Sequence, residues 1–152
     1  MALSGTLEVE VEIKSNPDEF WKRIRDSTEF FPKNFPHDYK SIEVLEGDGK
    51  APGSVRLFTY GEGSPLVKKS KERIEAVDEE KKIYVYRVID GDLLKYYKEF
   101  EGSISVFPKG DVTLAKWSAK FEKTSDEIPD PHAIKDFASR NFQEIDAGIQ
   151  KF

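Results

Sequence analysis

The chain contains no cysteine. Disulfides and thiolate chemistry are therefore excluded, and a reducing, cytoplasmic setting is expected. Its two histidines, His37 and His132, stand far apart, and with no thiolate beside them no zinc or other metal site is expected. Long apolar runs are also missing. The longest is Ile83-Tyr84-Val85-Tyr86, against the roughly 20 residues that a spanning helix needs, so no membrane span is expected. Met1-Ala2-Leu3-Ser4 has no basic stretch leading into an apolar core, so no signal peptide is expected. An excess of positive charge is absent as well. The formal net charge is −5, with lysines and acids interspersed, whereas a nucleic-acid binder needs a basic face.

What the chain does have is aromatic bulk: 11 Phe, 6 Tyr and 2 Trp in 152 residues. That supports one folded domain over residues 1–152, large enough to bury roughly 70% of its unfolded surface. Residues 3–13 alternate. Leu3, Leu7, Val9, Val11 and Ile13 share one side, with Thr6, Glu8, Glu10 and Glu12 on the other, which is a half-buried strand. At Ser15-Asn16-Pro17-Asp18-Glu19 the period changes. Asn16 is a natural N-cap, Pro17 fits a first helical turn and Glu19 completes a capping box. Phe20, Trp21 and Ile24 then mark the inner face of a short helix. A second short helix over 27–33 is closed by Pro32 and Pro36, and Phe30, Phe31 and Phe35 make this corner apolar.

Strands are expected at 39–46, 54–60, 67–78, 81–90, 93–107 and 111–123, separated by glycine-bearing turns except at Asp78-Glu79-Glu80. The last stretch, 130–152, reads as a long amphipathic helix capped by Asp130, with Pro131 in its first turn. Ile134, Phe137, Ala138, Phe142, Ile145, Ile149 and Phe152 form its apolar stripe, with Asn141 and Gly148 between them. Lys135, Asp136, Arg140, Gln143, Glu144 and Lys151 lie opposite. A meander of strands with its helices on one side is an α+β domain, and the long helix needs the sheet to bury its stripe.

The order of elements, the loop Gly47-Asp48-Gly49-Lys50-Ala51-Pro52-Gly53-Ser54, the stretches Lys71-Glu72-Arg73-Ile74-Glu75-Ala76-Val77-Asp78 and Val88-Ile89-Asp90-Gly91-Asp92-Leu93-Leu94-Lys95, and the pair Lys116-Trp117 resemble the plant major latex proteins. These belong to the birch-pollen-allergen and class-ten pathogenesis-related superfamily. The resemblance covers the whole chain. It implies a START-like helix-grip fold, with seven curved antiparallel strands around the C-terminal helix and two short helices in a V. It also implies an intracellular plant protein linked to defence or stress, with an internal cavity for hydrophobic or amphiphilic metabolites and no cofactor.

The glycine-rich loop does not match a phosphate cradle. A strand, not a helix, follows it, and no Ser or Thr follows Lys50, so a rigid glycine turn is expected. Ribonuclease activity, attributed to relatives, finds no histidine pair or basic groove here to support it. The two-residue period places Glu72 beside Ile74 and Ala76 on the inner face, then Tyr84, Tyr86 and Val88 on the next strand. Tyr96, Lys98, Phe100, Ile104 and Val106 share a face of the strand after that. Trp117, Ala119 and Phe121 turn inward on the last, leaving Lys116 and Lys120 outside. Arg56, Phe58 and Tyr60 match the inward parity that the resemblance implies.

A packed core and a cavity remain the two readings of this interior. Buried cations and tyrosine hydroxyls need partners, which suits an amphiphilic occupant better than close packing. The expected lining is Phe30, Arg56, Phe58, Tyr60, Glu72, Tyr84, Tyr86, Tyr96, Lys98, Phe100 and Trp117, with Phe137, Asn141, Phe142 and Ile145 from the helix. The expected occupant is a lipid, a sterol-like molecule or a phenolic, oriented by Arg56 or Lys98. It would enter among the turns at 61–66 and 90–93 and the corner at 30–35. The alternative is a small-molecule enzyme with Lys98 as acid or base beside Glu72 and a tyrosine. A partner-binding role like that of the superfamily's hormone receptors finds no receptor-type gate in Gly61-Glu62-Gly63-Ser64-Pro65.

Overall fold

A computed structural model describes residues 3–64 and 67–151, with the side chains of residues 150 and 151 left aside. The expectations for Pro65, Leu66 and Phe152, and for the side chain of Lys151, lie outside the described residues. The chain runs β1 (Ser4–Ile13), α1 (Pro17–Arg25), α2 (Ser27–Asn34), β2 (Tyr39–Glu46), β3 (Val55–Tyr60), β4 (Lys69–Asp78), β5 (Ile83–Gly91), β6 (Tyr97–Lys109), β7 (Val112–Lys123) and α3 (His132–Lys151). The strands form one antiparallel sheet in the order β1-β7-β6-β5-β4-β3-β2. From β2 to β7 it is a plain meander, and β1 closes against β7 with Val9 opposite Trp117. The helix-grip arrangement expected from the sequence is the one observed.

Local chemistry explains the element ends. The Asn16 side chain accepts from the Asp18 and Glu19 amides at 2.8 and 3.4 Å, and Pro17 opens α1. Asp130 does not have the capping role expected of it. Its carboxylate is drawn to Lys123 at 2.6 Å, and the Pro131 carbonyl accepts the first helical hydrogen bond from Lys135. The turn without glycine, after Asp78, is built from charged residues. Lys82 adopts a positive φ of 57°, and Asp78 Oδ1 accepts from the Lys81 amide at 2.9 Å.

Two register irregularities overturn expected faces. The segment expected to begin a strand at Leu93 starts as a short 3-10 turn, Asp92–Lys95. Tyr96 ends that turn, half-buried, and Tyr97 takes the inward position. A shift between Tyr97 and Glu99 then leaves Lys98 outside and returns Phe100 to the interior. A second shift, between Ile74 and Ala76, turns Ala76 to the exposed side and packs Val77 against the core.

The β4–β5 turn docks on α1 through Glu79. Its carboxylate accepts from Trp21 Nε1 at 2.7 Å and from Arg25 Nε at 2.8 Å. Glu79→Ala is expected to lower stability by about 1 kcal/mol, because a half-buried indole N–H loses its acceptor. Glu79→Gln, which keeps an acceptor, should lose less. Urea denaturation and the chemical shift of the Trp21 indole proton measure the two effects.

Candidate functional site

Between α3 and the concave face of the sheet lies a cavity of about 110 Å³. A further void of about 40 Å³ adjoins it, sharing Tyr60, Glu72, Tyr86 and Phe137 as walls. The two-residue period of each strand supplies the sheet side: Arg56, Phe58 and Tyr60 from β3, Glu72 from β4, Tyr84 and Tyr86 from β5, and Trp117 from β7. The helical period of α3 supplies the roof, with Phe137, Asn141, Phe142 and Ile145. Phe100 borders the smaller void only.

Three expected lining residues lie elsewhere. Lys98 is on the outer face and pairs with Glu122 at 3.2 Å. Tyr96 is not part of either wall. Phe30 faces away from the cavity and stacks beneath Arg23 at 5.0 Å, while its neighbour Phe31 takes the inward place. Conversely, Tyr39 was not in the expected lining yet forms part of the wall, with its ring on Phe58, Tyr60 and Phe137. Its place as the first residue of β2, after Pro36-His37-Asp38, was the available signal.

The cavity's polarity comes from a few side chains. Arg56 is only 3% exposed. Its Nη1 donates to Ser27 Oγ at 2.8 Å and to Thr28 Oγ1 at 3.2 Å, and its Nη2 donates to the Tyr84 hydroxyl. Its Cζ sits 4.9 Å from the Phe58 ring centroid. Glu72 is paired in register with Arg56 across β3 and β4. Burial is the largest influence on its carboxyl and pushes its pKa up to about 7. The charge of Arg56 and hydrogen bonds from Ser70 and Tyr60 act the other way. Burial also raises the hydroxyl pKa values of Tyr39, Tyr60, Tyr84 and Tyr86, so these phenols are neutral donors and acceptors at physiological pH. Tyr86 accepts from Trp117 Nε1 at 3.1 Å. Its ring lies over Gly102, where any side chain would meet it: a Cβ there would stand 2.1 Å from Tyr86 Cζ.

At the expected access side, the 61–64 loop is strapped down. Arg140 Nη2 bridges Asp38 Oδ1 at 2.6 Å and the Gly63 carbonyl at 3.2 Å, and the Gly63 amide donates to the His37 carbonyl. Gly63 has to lack a side chain here, since a Cβ would stand 2.0 Å from Asp38 Oδ1. Among the described residues, no group of His, Asp or Glu is arranged to hold a metal, and no helix is long and apolar enough to cross a membrane.

The Glu72 carboxyl gives a pH signature. The unfolded chain releases this proton near 4.5, whereas the folded chain holds it to about 7. Between those values the native state binds more protons, so this group's contribution to stability declines as pH rises and stays lowered above 7. Glu72→Gln removes the effect. Relative to the difference at pH 4, the variant should gain on the order of 2–3 kcal/mol over wild type by pH 8. Denaturation curves across pH 4–8 test this.

The family model described as "Pathogenesis-related protein Bet v 1 family" matches residues 2–151. MLP-like protein 423 of Arabidopsis thaliana is 60% identical over 151 residues, covering 99% of this chain and 97% of that protein. MLP-like protein 34 of the same plant is 38% identical over 147 residues, 95% of this chain, which spans only 46% of that protein's length. Among solved structures, ginseng major latex-like protein 151 from Panax ginseng superposes with a TM-score of 0.88 at 29% identity, covering 97% of this chain and 98% of that one. Norcoclaurine synthase from Thalictrum flavum superposes with a TM-score of 0.80 at 21% identity, over 97% of this chain and 87% of that one, a likeness of fold alone. With a sheet that wraps α3, aromatic walls beneath it and relatives matched along its whole length, the chain belongs to the Bet v 1 family, on its plant major-latex-protein side.

Proposed function

We propose that this protein binds a small hydrophobic or amphiphilic plant metabolite in the cavity beneath α3, as an intracellular carrier or sensor in defence or stress responses. The observation that carries the reading is the void itself. Aromatic rings make up half of its lining, and Phe137, Phe142 and Ile145 close it on the helix side, yet two ionisable side chains, Arg56 and Glu72, are buried at its edge. A core built only for stability fills such a space and leaves charged groups outside. Burial of the guest's apolar surface supplies affinity at about 25 cal/mol per Å², less the cost of ordering it. The alternative enzyme built on Lys98 loses its central residue, because that ammonium pairs with Glu122 on the far face of the sheet.

Two experiments test the reading. Native mass spectrometry of the protein from its source tissue should find a co-purifying small molecule. Ala138, on the cavity roof, can be enlarged to fill the void. Ala138→Leu is expected to weaken binding of an apolar fluorescent probe by about tenfold or more while holding stability within about 1.5 kcal/mol. Lys98→Ala should leave probe affinity unchanged. Equal probe binding by wild type and Ala138→Leu would place the binding site elsewhere.

A further inference from the structure

The cavity's polar atoms are unevenly satisfied, and the shortfall has a definite chemistry. Arg56 commits Nη1 and Nη2 to three hydroxyls, and its Nε, buried with the rest of the side chain, has no partner. A carboxylate grips arginine by docking two oxygens along one edge of the guanidinium. Here each edge already includes a nitrogen donating to a hydroxyl. Asn141, 4% exposed, donates from Nδ2 to the Phe137 carbonyl at 2.7 Å. That bond fixes the amide's orientation, because the flipped form would set oxygen against oxygen. Its Oδ1 is then a buried acceptor with no protein partner, on a residue that lines the cavity. Glu72, with hydrogen bonds from Tyr60 and, at a long 3.4 Å, from the Ser70 hydroxyl, keeps further acceptor capacity.

The unmet requirements are therefore one donor's and at least one acceptor's. A hydroxyl meets both, since it accepts and donates. A carboxylate only accepts, and it would bring a second negative charge toward Glu72. An ammonium only donates, and it would face Arg56. A bare hydrocarbon ring does neither, and by displacing water it leaves both groups orphaned, which is costly. The space of about 110 Å³ is comparable with the ~150 Å³ void that holds benzene in an engineered cavity, so it admits a body of one ring. We infer that the cavity selects a neutral, hydroxyl-bearing single ring over the matching carboxylate and over the bare hydrocarbon, with the Asn141 amide oxygen reading the hydroxyl proton. This rests on the proposal that the cavity takes a small-molecule guest.

Phenol, benzene and benzoate, titrated at pH 7.5 and followed by amide chemical shifts in ¹⁵N-labelled protein, test it. Apolar burial alone favours benzene, because phenol is the better hydrated in water. The expected order is phenol tightest, benzene weaker by about tenfold or more, and benzoate weakest. In Asn141→Leu, checked for a dispersed spectrum, the ratio of phenol to benzene affinity should collapse toward parity. If that variant does not fold, the wild-type order still decides. Benzene binding as tightly as phenol, or benzoate binding tightest, overturns the selectivity and leaves the ligand-binding proposal standing. An undiminished phenol preference in folded Asn141→Leu removes Asn141 from its role and overturns the inference as stated. Binding of none of the three overturns this inference and the small-guest reading together.

Discussion

The interior of this molecule is organised by one buried cation. Removing an unpaired guanidinium from water costs several kcal/mol, and no carboxylate touches Arg56 among the described residues. Three hydroxyls and two aromatic rings stand in for that missing partner. Ser27 and Thr28 come from the first turn of α2, Tyr84 comes from β5, and Phe58 and Tyr84 present ring faces at 4.9 and 5.9 Å. The consequence is architectural. Satisfying Arg56 ties α2 to the sheet and joins β3 to β5 across β4. It also holds the aromatic side chains around an open space that they would otherwise fill. Glu72 sits opposite on β4, close enough for Arg56 to restrain its rise in pKa but not in direct contact. These two ionisable side chains mark the polar boundary of a predominantly apolar chamber.

The sheet's curvature makes the chamber possible. Register shifts interrupt β2 against β3, β4 against β5 and β6 against β7. Each adds a residue on one strand, which bends and twists it locally. The bent strands wrap α3, which meets the sheet closely along β1 and β7, with Val9 and Trp117 paired beneath it. Toward β3 and β4 the sheet carries Arg56 and Glu72, whose charged ends cannot pack as aliphatic side chains would, and the gap opens there.

The same shifts mark the limit of what the sequence discloses. Clean alternation in 3–13, the Asn16-Pro17 cap and the glycine turns made the order of elements legible, because each depends on local chemistry. The inward faces of β5 and β7 follow from simple two-residue counting, and that of β3 from the parity that the family resemblance implies. Lys98 does not, because a bulge is a one-residue event that leaves composition and apparent period intact while offsetting the faces on one side of it from those on the other. The local 3-10 turn at Asp92–Lys95 hides the true strand start, so a local reading assigns Tyr96 the place that Tyr97 holds. In α2 the adjacent Phe30 and Phe31 are equally apolar, and which one faces the cavity depends on how the helix is rotated against the sheet. Asp130 illustrates competition: Lys123, at the end of β7, claims the carboxylate that a local reading assigns to a cap.

The void also has a thermodynamic meaning. Empty internal space costs about 24 cal/mol per Å³ in systems where it has been measured, so a cavity of about 110 Å³ forgoes on the order of 2–3 kcal/mol. That is a substantial share of the 5–15 kcal/mol by which domains are usually stable. A larger side chain at Ala138, on the roof, would reclaim part of it. Two further penalties accumulate in the same place, the unpartnered Nε of Arg56 and the unpartnered Oδ1 of Asn141. Apolar space and unmet polar atoms have opposite remedies in a core made only for stability: more carbon for one, fewer heteroatoms for the other. A single amphiphilic guest remedies both at once. On the proposal above, such a guest would draw its binding free energy from meeting both needs together.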